Sequence, residues 1–307
     1  MVVTSPIPLR SQPKPVMVKP KKGIVVAILA EEKCWKTSMG LSFPKPLYHF
    51  DLDVGGFDRA AWRPPIPEMI EMGLIVSKSY PIMIQVERLR GAEVTKSASG
   101  LTVRMPKRLI GYRETWQDIM SDYLELIESP FRTLMFDSAT QLWKIAHKTE
   151  LQIKQEKQIA KTPGISDYDV RESLQSIEYG APNDRMSSII YAARVKGKNL
   201  ILTHYLTAVY ASKVNDRGEL ISYDTGNVKM DGFNDTTKLV DIVLKLSMKE
   251  VVENGQKEWK SLATITTCGL PGLGTSVTGL TIDASYSALR DLADNLGYKM
   301  EPEIPEG

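Results

Sequence analysis

Residues 24–53 constrain the fold more than any other stretch of this chain. An apolar run at 24–29, IVVAIL, leads into a short turn and then Lys36-Thr37-Ser38. A second apolar run closes on Asp51-Leu52-Asp53. Short apolar runs rich in β-branched residues read as buried strands, and the helix-sized segment between them, stopped by Pro44, reads as their crossover. The turn is laid out as a phosphate-binding loop. Glu32, Lys33, Cys34 and Trp35 turn backbone N–H groups toward a polyphosphate, Lys36 adds a point charge, and the Thr37 hydroxyl, with Ser38 beside it, reaches Mg²⁺.

The usual pattern for such a loop is GxxxxGK[ST]. Here Ala30 and Trp35 stand at its two glycine positions, and Glu31 and Glu32 bring negative charge to a site for anions. Glycine serves there because it reaches unusual backbone angles and lets a ligand approach closely. Residues 30–38 alone therefore read equally well as a surface turn containing Lys-Thr. The downstream sequence has to decide.

Length and a balanced composition allow one large α/β domain or two small ones. The formal net charge of +2 does not announce a nucleic-acid binder, but the charge is uneven. Residues 1–22 hold Arg10, Lys14, Lys19, Lys21 and Lys22, five prolines and no acid, so they read as a disordered basic tail. Cys34 and Cys268, the two cysteines, lack metal-ligand spacing, as do His49, His147 and His204. No signal-peptide or bilayer-spanning run is apparent, so the expected location is the cytoplasm.

Further along, residues 57–113 read as an insertion with a small sheet of its own, with a strand at 82–88 and a hairpin or loop at 91–104. Pro64-Pro65-Ile66-Pro67 exclude a helix at 64–67. Apolar residues from Trp116 to Ile127 recur at three- and four-residue spacing, which predicts a helix over 114–128. A buried strand at 131–137 (FRTLMFD) ends on Asp137, and a long helix follows to about 160. Residues 161–183 read as a flexible segment, and Asp184 as the N-cap of a helix over 185–195 closed by Gly197. Strands are expected at 199–203, 239–246 and 262–267, a polar hairpin or loop at 205–237, a closing helix at 283–296 and a flexible tail at 298–307. Apolar strands alternating with helices imply an α/β fold with a mainly parallel sheet sandwiched by helices, and ligands then bind beyond the strands' carboxyl ends.

The strand assignments place Lys36, Asp53, Asp137 and Thr203-His204 at that edge. In such a site Thr37 and Asp137 support Mg²⁺, Asp53 polarises the attacking water, and Thr203 or His204 senses the terminal phosphate. Each also has a plainer reading: Asp137 as a helix cap, Asp53 as turn chemistry beside Gly55-Gly56, His204 as a hydrogen-bonded structural residue.

The motifs KTS at 36–38, FDLDVGGFDRA at 50–60, LMFDSATQLW at 134–143, NLILTHY at 199–205 and LVDIVLKL at 239–246 resemble those of RecA-like P-loop ATPases. The closest likeness is to the compact phage-encoded AAA-domain or phage nucleotide-binding branch, which includes single-strand-annealing recombination ATPases. The resemblance implies a domain over 23–297 that binds ATP and Mg²⁺, with Asp53 as water activator, Lys36 and Thr37 on phosphate and metal, and Asp137 on the second metal-supporting motif. It further implies a homo-oligomeric ring or filament acting on single-stranded DNA, with a cation such as Lys229 completing a neighbour's site, and other phage replication or recombination proteins as partners. Two alternatives stay open: a non-hydrolysing P-loop scaffold or binding module, and a small-molecule kinase, against which stands the lack of an arginine-rich lid.

Overall fold

Strand β1, Val25–Ala30, is buried along its whole length, and its alternation serves two cores at once. Val25, Ala27 and Leu29 pack on one face with Phe50, Phe136 and the helices that follow. Val26, Ile28 and Ala30 pack on the other with Met39, Leu41, Phe43, Tyr286 and Leu289. A strand covered on both faces has no polar side to show, which is why its sequence is a continuous apolar run. The computed structural model describes residues 23–53, 55–80, 91–97, 100–214, 220–253 and 256–304.

The remaining elements, in chain order, are α1 (Lys36–Leu41), β2 (Leu47–Asp51), α2 (Gly56–Ala60), α3 (Ile66–Glu71), β3 (Ile75–Ser79), β4 (Glu93–Ser97), β5 (Gly100–Arg104), α4 (Tyr112–Glu128), β6 (Thr133–Asp137), α5 (Ala139–Lys161), α6 (Gly180–Lys196), β7 (Asn199–Val214), β8 (Leu220–Met230), α7 (Thr236–Leu239), β9 (Ile242–Glu253), β10 (Gln256–Cys268), β11 (Thr281–Asp283) and α8 (Tyr286–Asn295). The main sheet runs β11-β10-β9-β1-β7-β6-β2-β3, with β8 paired to β7. Strands β9, β1, β7, β6, β2 and β3 are mutually parallel. The antiparallel β10 and β11 extend one edge. The expected class, a mainly parallel sheet between helices, is the one observed.

Several elements differ from the sequence-based expectation. A helix does form at Ile66–Glu71, with Pro67 in its first turn, where a missing N–H costs no intrahelical bond. Within 57–113, β3 is a parallel neighbour of β2 in the main sheet, while β4 and β5 make a separate two-stranded sheet. The strand expected at 82–88 lies outside the described residues, as does the tail at 1–22. Of the two readings of 205–237 the hairpin is the one observed, and it begins within a longer strand: β7 continues to Val214 and pairs antiparallel with β8. Its outer residues are largely exposed, so no buried face signals a strand. Helix α6 starts at Gly180, which puts Asp184 in its second turn and not at its cap. Within 161–183, a 3₁₀ turn at Ser176–Tyr179 carries a capping box between Gln175 and Glu178.

The end of the described chain is tied to the body. The Lys45 N–H donates to the Glu303 carbonyl (2.8 Å) and the Tyr286 hydroxyl to the Glu301 carbonyl (2.7 Å). Among the described residues, no helix is long and apolar enough to cross a membrane.

Candidate nucleotide site at the carboxyl edge of the sheet

Parallel register brings the predicted residues to one place. Asp51 is level with Asp137 across β2 and β6, Phe136 with Leu202 across β6 and β7, and Ile28 with Thr203 across β7 and β1. The chain leaves β1 into the 31–35 loop, where Lys33 (φ 64°) and Trp35 (φ 63°) both take left-handed backbone angles. Trp35 thus adopts at the N-cap of α1 the conformation that glycine supplies in the usual loop. For a residue other than glycine that angle costs about 1–2 kcal/mol.

Lys36 is 7% exposed. Its ammonium donates to the Glu31 carbonyl (3.2 Å) and lies 3.9 Å from the centre of the Tyr205 ring. Burial pushes its pKa down, and the charges of Asp137 and Asp53 pull it back in part. Asp137 is 1% exposed. The Thr37 hydroxyl donates to its Oδ2 (2.6 Å), the Thr203 hydroxyl donates to its Oδ1, and His49 Nε2 stands 3.5 Å from Oδ2. Burial pushes the Asp137 carboxyl up, but His49, Thr203 and Thr37 together outweigh it and hold the group below the usual carboxylate range. Gly56 approaches closely opposite: a Cβ there would lie 3.3 Å from both Asp137 Oδ2 and Thr37 Oγ1, tighter than ordinary van der Waals contact. Asp53 accepts a hydrogen bond from the Tyr205 hydroxyl.

Lys36, Thr37, Asp53, Gly56, Asp137 and Tyr205 line one cleft of about 280 Å³, with Lys33, Cys34, Trp35 and Ser38 also in its walls. Thr203 and His49 are fully buried against Asp137 and do not line it. An ionised carboxylate beside a hydroxyl offers the hard oxygen ligands that Mg²⁺ takes, so Thr37 and Asp137 fit that ion.

Other expected residues stand elsewhere. Glu32 borders a neighbouring recess with Asp53 and Tyr205. His204 does not face the cleft: its buried Nδ1 meets the Asp231 carbonyl at 3.1 Å and its ring packs on Gly232. Burial pushes its pKa down to about 4. Lys229 lies exposed on β8 opposite Thr207, outside the cleft.

The structure adds residues that sequence reasoning passed over. Tyr205 carries both Lys36 and Asp53, and period-two alternation from Thr203 was the signal that would have found it. His49 supports Asp137 and is held by Ser77 Oγ (2.8 Å). Arg59 and Arg63 also line the cleft, and Arg63 stacks on the Trp35 indole with 3.5 Å between guanidinium and ring centre. Their four-residue spacing after Asp53 was visible but carries no specific meaning in a sequence.

The sequence matches no protein-family model and no curated protein. Solved structures share the layout at low similarity. They include a KaiC-like protein of the hyperthermophilic archaeon Pyrococcus horikoshii OT3, with TM-score 0.41 and 10% identity over 85% of this chain and 85% of that one. The flagellar accessory protein FlaH of Methanocaldococcus jannaschii gives TM-score 0.36 and 13% identity over 80% of this chain and 78% of that one. Similarity this distant bears on neither activity nor partners.

Proposed function

We propose that the chain is a RecA-like P-loop protein that binds ATP with Mg²⁺ and hydrolyses it. The observation that carries this reading is the meeting of Lys36, Thr37, Asp53 and Asp137, far apart in sequence, around one cleft. Lys36, resting on the Tyr205 ring, is the cation that transfers to the phosphates. Thr37 and Asp137 would hold Mg²⁺, which would supply charge neutralisation to the phosphate oxygens. Asp53, its carboxylate steadied by Tyr205, orients the attacking water and accepts its proton. Thr203 fixes Asp137 and thereby positions the metal ligand.

Action on single-stranded DNA by a homo-oligomer, in phage recombination or replication, is the finer form of this proposal. It draws support from the β7–β8 hairpin, which continues beyond the ligand edge of the sheet. There Tyr210 and Tyr223 are exposed and Lys213 Nζ lies 5.2 Å from the Tyr223 ring centre, groups suited to phosphate contacts and base stacking. Lys229 on the same hairpin would serve a neighbouring copy.

Phosphate release with and without single-stranded DNA tests the proposal. Wild-type turnover should rise with DNA, and Asp53→Asn should lower it by about 10²-fold or more, as loss of a general base does. Equal turnover in the two proteins contradicts the role of Asp53. A second reading, binding without hydrolysis, is favoured by Trp35 at the glycine position and by Lys36 resting on Tyr205 and the Glu31 carbonyl. Mg²⁺-dependent ATP binding with no phosphate release selects it.

A further inference from the structure

Trp35 stands between two cavities. On one side is the cleft with Lys36 and Asp137. On the other is a separate, largely apolar cleft of about 390 Å³, walled by Leu41, Pro64, Pro65, Ile66 and Met69. Trp35, Ser38 and Arg63 belong to both. The dividing wall is the Trp35–Arg63 stack. Arg63 has no carboxylate partner among the described residues, and burial lowers its pKa. Trp35 holds a left-handed angle that only glycine adopts without strain. Strain of this kind persists where the side chain is needed for something the unstrained residue could not do.

We infer that the apolar cleft behind Trp35 is the nucleobase subsite, with the Trp35 indole and the Arg63 guanidinium as its stacking surfaces. The inference rests on the nucleotide reading of the adjoining cleft and deepens it. A nucleoside triphosphate pairs a flat aromatic base with a polyanion. The two adjoining cavities offer the same pairing, one apolar with flat π surfaces, the other lined by lysine, hydroxyls and a metal-ligating carboxylate. The volume of the apolar cleft falls in the range of small-molecule sites, about 300–1,000 Å³. Serines 38 and 42 and Glu303 supply polar groups at its walls, where a base presents its edge. Trp35 on this view is a functional replacement of the loop glycine, not a plug.

The test compares ATP with inorganic tripolyphosphate, which carries the phosphates without a base, by calorimetry on the full chain with Mg²⁺. Wild type should bind ATP about tenfold or more tightly than tripolyphosphate, the size of one base–aromatic stack. Trp35→Gly, which relieves the backbone strain, should hold tripolyphosphate at least as well as wild type and bring ATP down to the same affinity. Arg63→Gln, a change at a partly exposed side chain, should also narrow the ratio. Lys36→Ala should weaken both ligands alike. An unchanged ATP preference in Trp35→Gly overturns the inference while leaving the phosphate site standing. A joint gain for both ligands in that variant also overturns it, and marks Trp35 as a plug. If Lys36→Ala changes neither ligand, the nucleotide reading itself fails and the base subsite with it.

Discussion

Lys45 shows how one residue at the amino edge of the sheet sets a pH dependence. Its side chain is fully buried, donates to the Phe43 carbonyl and stands 3.5 Å from Glu303. Burial pushes its pKa down to about 8, with the Glu303 charge pulling the other way. An unfolded lysine titrates near 10.4, so between these values the unfolded chain holds more protons than the folded one. Stability should therefore rise with pH through that window, by on the order of 3 kcal/mol for a shift of this size. Below it, the buried ammonium costs the fold that full amount. Denaturant melts of Lys45→Met from pH 7 to 10.5 should show a flatter profile than wild type; parallel profiles contradict this account. At the same scale, the polar residues legible in sequence were those that follow an apolar strand: Lys36, Thr37, Asp53 and Asp137. His49, Tyr205 and Arg63 were not, because their roles come from partners across the sheet or across a cleft.

Among the elements, what could be read from sequence depended on burial. Strands covered on both faces, such as β1 and β6, and helix α4 with its apolar face, announce themselves through continuous or periodic hydrophobicity. The outer β7–β8 hairpin buries little, so its strands are spelled in polar residues that also suit a loop. Strand β3 buries Ile75 and leaves the rest half-buried or exposed at the sheet margin, and was hidden within an apparent insertion. Gly197, read correctly as the stop of α6, has φ 63°, and Lys198 N–H returns to the Ala193 carbonyl (2.9 Å). Gly197→Ala should cost about 1 kcal/mol through that left-handed angle. Chemical denaturation reads it directly, and an unchanged midpoint would mean that the turn tolerates a side chain.

In the molecule as a whole, the parallel core gathers the ends of β1, β2, β6 and β7 at one edge, and chemistry scattered over residues 36–205 becomes local there. That convergence followed from the order of strands and acids in the sequence. The divided shape of the site did not, because Pro64, Met69 and Glu303 reach it by tertiary packing alone. The central claim is that Lys36 and Asp137 serve one bound triphosphate. Titration of the full chain with ATP, with and without Mg²⁺, tests it most directly. Wild type should bind in a Mg²⁺-dependent manner, Lys36→Ala should lose at least about tenfold in affinity as a charge-assisted contact is removed, and Asp137→Asn should lose the Mg²⁺ dependence. Equal binding by wild type and both variants, or Mg²⁺ dependence that survives in Asp137→Asn, would contradict it.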